Sequence, residues 1–259
     1  MALWSALLSL QAMTYATPTL TANPAPLSAA TRIAHTLALL QQRLSPKRRV
    51  VHAGDVIARA GEPLDCLYVI HSGLVKTVNA SADGREHMVG LHFKGDWLGF
   101  DAIANDQHAC DAVAMDVSEI WAVPYGALLQ ACAAEPDLLA ALHAAMSREI
   151  SRDQDAMLSL CTLPADARVA NFLRGWADAL TERGMRTDQI TLRMTRAEIG
   201  NCLGMTLETV SRSFSRLAKD KVIGFNAKDR RDVQIPDVGA LSEFVRRSLI
   251  AATPAALLQ

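Results

Sequence analysis

The segment that most constrains the fold lies near the C-terminal end of the chain, where residues 194–217 read MTRAEIGNCLGMTLETVSRSFSRL. Thr195 followed three residues later by Glu198 is a capping box, which predicts a short helix over residues 196–203. Gly204 follows at the point where the chain must turn sharply, a position that suits a positive φ. The string therefore predicts a helix that ends in a tight turn.

A second helix is predicted to begin after this turn, with Thr206 as its N-cap and its end near residue 220. Its inward stripe consists of Val210, Phe214 and Leu217. Two short helices joined by a glycine-containing turn are typical of the DNA-binding helix-turn-helix, with an unrelated helical hairpin as the alternative. The outward residues near the start of the second helix, which would read base edges in the major groove, are Glu208, Ser211 and Arg212.

Two short segments beyond this helix, residues 222–226 and 232–235, flank a basic turn and predict a two-stranded wing. The turn carries Lys228, Arg230 and Arg231, which are candidates for phosphate contacts; a solvated basic turn is the alternative. The starts of the two helices supply the other predicted contacts to the DNA backbone, namely Thr195, Arg196 and Thr206.

Charge is distributed unequally along the chain, although the formal net charge is only −1. From residue 164 onward there are 15 Lys and Arg against 11 Asp and Glu, while the preceding residues carry 11 against 16. An acidic front and a basic back favour a sensing domain followed by a domain that contacts a polyanion.

Residues 48–125 contain short alternating apolar segments at 66–70, 75–78 and 88–93, separated by glycines every 4–12 residues. This pattern predicts an antiparallel sandwich or barrel of short strands. Residues 1–31 contain no Asp, Glu, Lys or Arg and are expected to be a disordered extension.

A long helical pattern follows, over residues 135–161. Its members recur at spacings of 4, 3, 4, 3 and 4, which is typical of a helix that pairs with another helix; packing against its own sheet is the alternative. This predicted dimer seam consists of Leu139, His143, Met146, Ile150, Asp153 and Met157.

The five cysteines are scattered and form no CxxC pair, which argues against a zinc ribbon, a local iron–sulfur run and a thioredoxin site. Such thiols are expected to be reduced, in a cytoplasmic protein. No apolar run approaches the roughly 18 residues of a membrane span, so no membrane partner is expected.

Three stretches of the chain carry a family resemblance: GDWLGFDAIA at 95–104, SREISRDQDAMLSL at 147–160 and LRMTRAEIGNCLGMTLETVSR at 192–212. Together they resemble the CRP/FNR superfamily of bacterial transcription regulators, and in particular its fumarate–nitrate reduction branch. The resemblance implies an α+β fold, with a cyclic-nucleotide-binding-like β-roll (a double-stranded jelly roll) at 32–134, a dimerisation helix at 135–161 and a winged helix-turn-helix at 164–259.

The resemblance also implies a function without catalysis. It implies a homodimer that reads a TTGAT-N4-ATCAA-like palindrome with Glu208, Ser211 and Arg212, and that contacts RNA polymerase through loops at 81–87 and 116–119. In the branch, an acidic residue at the position of Asp153 keeps the dimer weak; exposure to solvent, or pairing with Arg152 of a second chain, are alternatives for this residue.

Departures from the family pattern bear on which signal the predicted sensor domain would detect. The cysteine cluster that binds a [4Fe–4S] centre is missing, and Trp121 stands at the β-roll position of its fourth ligand. Binding of cyclic AMP is not expected, because Phe100, Cys110 and Asp111 replace the Glu and Arg-Ser residues that hold the ribose and phosphate.

Haem is a possible cofactor on this reading, with another small effector or constitutive activity as alternatives. The candidate haem ligands are His71, His87, His92, His108, His143 and the thiolate of Cys110. An enzyme of the cupin kind is the alternative from a different class, but the chain has no H-x-H pair to bind its metal.

Overall fold

The computed structural model describes residues 28–80, 86–226 and 231–252. The helices are α1 (Ala29–Leu44), α2 (Tyr125–Ala134), α3 (Pro136–Thr162), α4 (Ala165–Thr181), α5 (Arg196–Leu203), α6 (Leu207–Lys219) and α7 (Val238–Ala252). The strands are β1 (Lys47–Val51), β2 (Val56–Ala58), β3 (Cys66–Ser72), β4 (Leu74–Ala80), β5 (Glu86–Phe93), β6 (Trp97–Leu98), β7 (Asp111–Ala114), β8 (Ser118–Pro124), β9 (Gln189–Thr191), β10 (Gly224–Phe225) and β11 (Asp232–Gln234).

Eight strands form two four-stranded antiparallel sheets, in the orders β1-β8-β3-β6 and β2-β7-β4-β5. Alternate residues of the strands point between the sheets and form an apolar core, because successive side chains of a strand face opposite sides. This core includes Ile57, Ile70, Val75 and Ile120. The predicted β-roll and the α+β fold class are confirmed.

Helix α1 was not anticipated from the sequence. It begins at Ala29, inside the range expected to be an extension, and the hydroxyl of Ser28 caps it by accepting a hydrogen bond from the Thr31 amide at 3.1 Å. Leu37 and Leu40 are buried against the roll. Residues 1–27 of the predicted extension lie outside the described residues.

Helix α3 presents two different faces. One face packs on the roll through Leu138, Leu142 and Ala145. The predicted seam lies about a quarter turn away, and most of it is exposed: Leu139, Ile150 and Met157 are 39%, 56% and 65% exposed, and His143 and Asp153 are exposed as well. Met146 alone of the six packs partly on the roll.

The C-terminal domain is a winged helix-turn-helix. Strands β10 and β11 pair antiparallel, as predicted for the wing, and β9 extends the sheet in the order β10-β11-β9. The sheet and helices α4 to α7 bury a shared apolar core that includes Trp176, Ile199, Phe214, Val233 and Leu241.

The same core continues across the junction into the roll, through Leu74, Val78, Met88 and Phe93. The rings of Phe93 and Trp176 meet edge to face, with centroids 5.7 Å apart. The DNA-binding domain is therefore joined to the roll by apolar packing as well as by the chain. Within the ranges given above, none of the helices combines the length and apolar character required for a membrane span.

Candidate nucleic-acid interface

The turn between α5 and α6 is built as the sequence predicts. The Thr195 hydroxyl accepts a hydrogen bond from the Glu198 amide at 3.1 Å, and the Glu198 carboxylate accepts one from the Thr195 amide at 2.8 Å. Gly204 ends α5 with a φ of 61°. Gly200 meets the turn closely, because a Cβ there would lie 2.6 Å from the carbonyl oxygen of Met205. These contacts fix the angle at which α6 leaves α5.

Helix α6 carries the predicted base-reading residues on its outer side. The Thr206 hydroxyl caps it by accepting a hydrogen bond from the Thr209 amide at 3.2 Å. Burial of the stripe Val210, Phe214 and Leu217 leaves Glu208 and Arg212 exposed and Ser211 half-buried. Hydrogen bonds from its own amide and the Thr206 hydroxyl, with the nearby charge of Arg212, lower the pKa of Glu208.

A cleft of about 730 Å³ lies beside α6 and the wing sheet. It brings together four predicted site residues, Thr195, Arg196, Ser211 and Arg231. The guanidinium carbon of Arg196 lies 3.4 Å from the centroid of the Phe214 ring, a cation–π contact that holds Arg196 over the core. The remaining wing candidates, Lys228 and Arg230, lie outside the described residues.

Arg193 lines the same cleft and was missed by the sequence reasoning. Its guanidinium lies 2.9 Å from the carboxylate of Asp116, which belongs to the turn between β7 and β8 of the roll. A second ion pair joins Lys76 of β4 to Glu198 of α5 at 2.8 Å. Both pairs connect the roll to the helix-turn-helix, and neither has a local signal in the sequence.

The Asp96 cluster, formed by Asp96, Arg152 and Arg183, is the most buried ionic contact of this junction. Asp96 follows β5, Arg152 lies on α3 and Arg183 follows α4. Arg152 donates two hydrogen bonds to the carboxylate, at 2.8 and 3.0 Å, and Arg183 donates one at 2.8 Å. Burial opposes ionisation of Asp96, but these hydrogen bonds and charges outweigh it and lower the pKa of the carboxyl. One carboxylate thus ties three parts of the chain together.

The region that aligns with a cyclic nucleotide pocket is acidic. The Asp101 carboxylate accepts hydrogen bonds from the amides of Ala109 and Cys110, at 2.7 and 3.2 Å. These amides are thus already engaged by an anion. Burial and the charge of Asp153 raise the pKa of the nearby Glu149 to about 7. The residues present do not fit a cyclic phosphate, because they would place it against carboxylates.

The candidate haem ligands do not converge on one site. The His71 ring stacks on Trp121 with centroids 4.6 Å apart, His92 is buried with its Nε2 at 3.0 Å from the Thr77 hydroxyl, and His108 is buried beside Asp101. Burial lowers the pKa of His92 to about 4.

The other candidates do not complete a site. His87 and His143 are exposed, and burial raises the pKa of the Cys110 thiol, which disfavours the thiolate. In the part of the chain that the structure describes, no group of three or more His, Cys, Asp or Glu side chains is arranged to hold a metal ion. The contacts of these described side chains therefore give no support to a haem site.

Comparisons with known proteins agree with this architecture. Residues 48–135 match the cyclic nucleotide-binding domain family, and residues 167–244 match the Crp-like helix-turn-helix domain family. The fumarate and nitrate reduction regulatory protein of Yersinia pestis is 35% identical over 182 residues, which cover 70% of this chain and 73% of the relative. The anaerobic regulatory protein of Pasteurella multocida is 35% identical over 197 residues, 76% of this chain and 71% of the relative.

Among solved structures, FixK2 from Bradyrhizobium japonicum superposes with a TM-score of 0.68 at 27% identity, covering 76% of this chain and 96% of its own. The β-roll, the long helix and the winged helix-turn-helix of this chain thus follow one another in a fold shared with this solved structure. The chain belongs to the CRP/FNR family of DNA-binding transcription regulators.

Proposed function

We propose that this protein is a homodimeric cytoplasmic regulator that reads a TTGAT-N4-ATCAA-like palindrome and controls anaerobic, redox or nitrogen-oxide-responsive genes. The observation that carries the proposal is the outer side of α6, where Glu208, Ser211 and Arg212 lie beside one another near the start of the helix while the opposite stripe is buried. The N-terminal part of a recognition helix is the part that reaches base edges. The relatives named for anaerobic regulation support the choice of target genes.

Arg212 is proposed to pair with the guanine of each half-site, and Lys228 to contact phosphate. Arg212→Ala is expected to relax the preference for this guanine by roughly 1–3 kcal/mol, while Lys228→Ala weakens binding to all sequences alike. Fluorescence anisotropy with the palindrome, and with a duplex altered only at that base pair, measures both effects. An equal loss on the two duplexes with Arg212→Ala would remove Arg212 from base readout.

Dimerisation through α3 is supported by the exposed apolar side chains of the seam. Ile150 and Met157 are more than half exposed, although both are large and apolar, and they lie about a quarter turn from the face of α3 that packs on the roll. A second copy of the helix would cover them and place two recognition helices about 34 Å apart, one turn of the DNA helix.

Asp153 is proposed to weaken this dimer. It lies on the seam, where it would meet its symmetry mate, and partial shielding of its exposed carboxylate from water raises its pKa. Its neighbour Arg152 binds Asp96 of the same chain, so it is not available to neutralise Asp153 of a partner chain.

Asp153→Ala is expected to tighten the dimer by relieving this repulsion. Sedimentation equilibrium measures the dissociation constant, with Asp155→Ala as the control because Asp155 lies on the opposite side of α3 from the seam. An identical constant for the two variants would contradict the proposed role of Asp153.

Contact with RNA polymerase is proposed for the roll loops at 81–87 and 116–119. Residues 81–85 lie outside the described residues. Asp116 in the second loop pairs with Arg193, so this loop is fixed relative to the DNA-binding domain. A surface on this loop that contacted RNA polymerase would therefore move together with the recognition helix.

A further inference from the structure

A cavity of about 450 Å³ lies where α1, α3, the turn between β5 and β6, and the end of α4 meet. We propose that it binds a small amphipathic carboxylate, with an apolar body against the helices and its anionic head against Arg148. The volume lies in the usual range for small-molecule pockets.

The wall of the cavity is mainly apolar. The alanines on one face of α3 have small side chains and therefore leave room for the cavity. Larger apolar residues from α1 and the roll enclose it. These residues are Ile33, Trp97, Ala140, Ala141 and Ala144. A short aliphatic chain or one aromatic ring would bury its surface against them.

Arg32, Arg148 and Arg183 bring positive charge to the cavity, and Arg148 is the candidate partner of the anionic head. Its guanidinium is half-buried at the wall, and the described part of the chain gives it no hydrogen bond and no ion pair within 4 Å. The Asp96 carboxylate, which also lines the cavity, is already engaged by Arg152 and Arg183. The other acidic groups, Asp137 and Glu182, are exposed. The charges of Asp96 and Glu182 act on Arg148 from beyond contact distance. A ligand carboxylate would supply the direct charge-assisted hydrogen bonds that this half-buried cation lacks within the described residues.

The cavity stays open in the proposed dimer. With 100° per residue, the cavity-lining positions 137, 140, 141, 144 and 148 centre roughly 155° from the seam positions around α3. A partner helix on the seam would therefore not cover the cavity. The site is also separate from the acidic region that aligns with a cyclic nucleotide pocket, because Asp101 and Cys110 do not line it.

Occupancy would be transmitted to the DNA-binding domain, because Arg183 lines the cavity and belongs to the Asp96 cluster. This regulatory consequence rests on the proposed DNA-binding function, whereas binding of the ligand does not. The two are therefore measured separately.

The test is isothermal titration of the full chain with octanoate, and with octan-1-ol as a neutral probe of similar shape. We expect octanoate to bind and octan-1-ol to bind at least tenfold more weakly. Arg148→Gln is expected to weaken the binding of octanoate at least tenfold and to leave the binding of octan-1-ol unchanged. The matched control Arg186→Gln removes an arginine that is exposed on the DNA-binding domain, and should change neither value.

Ala144→Phe, which fills the cavity from an exposed helix position, is expected to abolish octanoate binding while circular dichroism shows an intact fold. Absence of octanoate binding, equal binding of the two probes, or insensitivity to Arg148→Gln would each overturn the proposal. A change in DNA affinity with saturating octanoate would support the regulatory link, and an unchanged affinity would refute that link alone.

Discussion

Replacing Asp96 by asparagine tests whether the Asp96 cluster holds the roll, α3 and α4 together. The change keeps the shape of the side chain and removes its charge. The Asp96 and Arg183 side chains are only 7% and 3% exposed, so Arg183 would keep a buried charge without its counterion. Glu182, at 3.7 Å from Arg183, is half exposed and replaces the lost carboxylate only in part.

The expected cost is about 3 kcal/mol of the free energy of unfolding. Removing one partner of a buried ion pair typically costs about 3–5 kcal/mol. We take the lower end because Arg152, which is 41% exposed, regains water when its bond to Asp96 is lost. With a slope of about 3 kcal/mol per molar urea, the unfolding midpoint would fall by about 1 M.

The pH dependence of the stability provides a second check of the same prediction. Because the pKa of Asp96 is lowered in the fold, its contribution is present above the unfolded-state value of 3.8 and is lost as the pH falls through the folded-state value. The difference in free energy of unfolding between the wild-type protein and Asp96→Asn should therefore have its full size at neutral pH and become smaller in acid.

The control is Asp188→Asn, which removes the carboxylate of an exposed pair with Arg186. An exposed pair contributes little to the free energy of unfolding, so the urea midpoint should hardly move. Equal midpoints for the two variants at neutral pH would refute the reasoning that burial makes the Asp96 cluster important.

Two further predictions concern the seam helix and the helix-turn-helix. Burial and the charge of Asp153 raise the pKa of Glu149 to about 7, so the native state holds a proton that the unfolded state releases above about 4.5. The contribution of Glu149 to the free energy of unfolding should thus decline by on the order of 3 kcal/mol from pH 4.5 to 7, and urea titrations should find a flatter profile for Glu149→Gln. Gly200→Ala should lower the melting temperature, because the new Cβ meets the backbone at 2.6 Å, whereas Gly175→Ala, at an open site on α4, should raise it slightly; a rise in both would contradict the close contact.

The helix-turn-helix could be predicted to the residue because its signals are local. The capping box and Gly204 mark both ends of α5, which spans Arg196–Leu203 in sequence and structure alike. Side chains within a few positions determine these ends, so no knowledge of the remaining fold is needed. The outward position of Glu208 and Arg212 followed from the helical period alone.

Helix α1 was missed although its signal is present. Ile33, Leu37, Leu40 and Leu44 follow a spacing of 4, 3 and 4, as expected for an amphipathic helix. The predicted extension was taken to run to residue 31 because no charged residue precedes that point. The predicted boundary therefore fell after the Ser28 cap, inside the helix.

The ionic contacts between the domains could not be predicted from the chain. Asp96 is 56 residues from Arg152 and 87 from Arg183, and Lys76 is 122 from Glu198. Charged residues at such separations have many equivalent partners until the fold selects one. The cavity at Arg148 could not be predicted for the same reason, since its walls come from four separate elements.

The apolar core that continues from the roll into the C-terminal domain limits how this protein can be divided. A chimera that takes only the winged helix would leave the Trp176 face without Phe93 and its neighbours, and would expose an apolar patch prone to aggregation. A transplant of DNA specificity is better made by exchanging the outer residues of α6, which leave that face intact. In this chain the base-reading residues can be exchanged without touching the core, whereas the C-terminal domain shares part of its core with the roll.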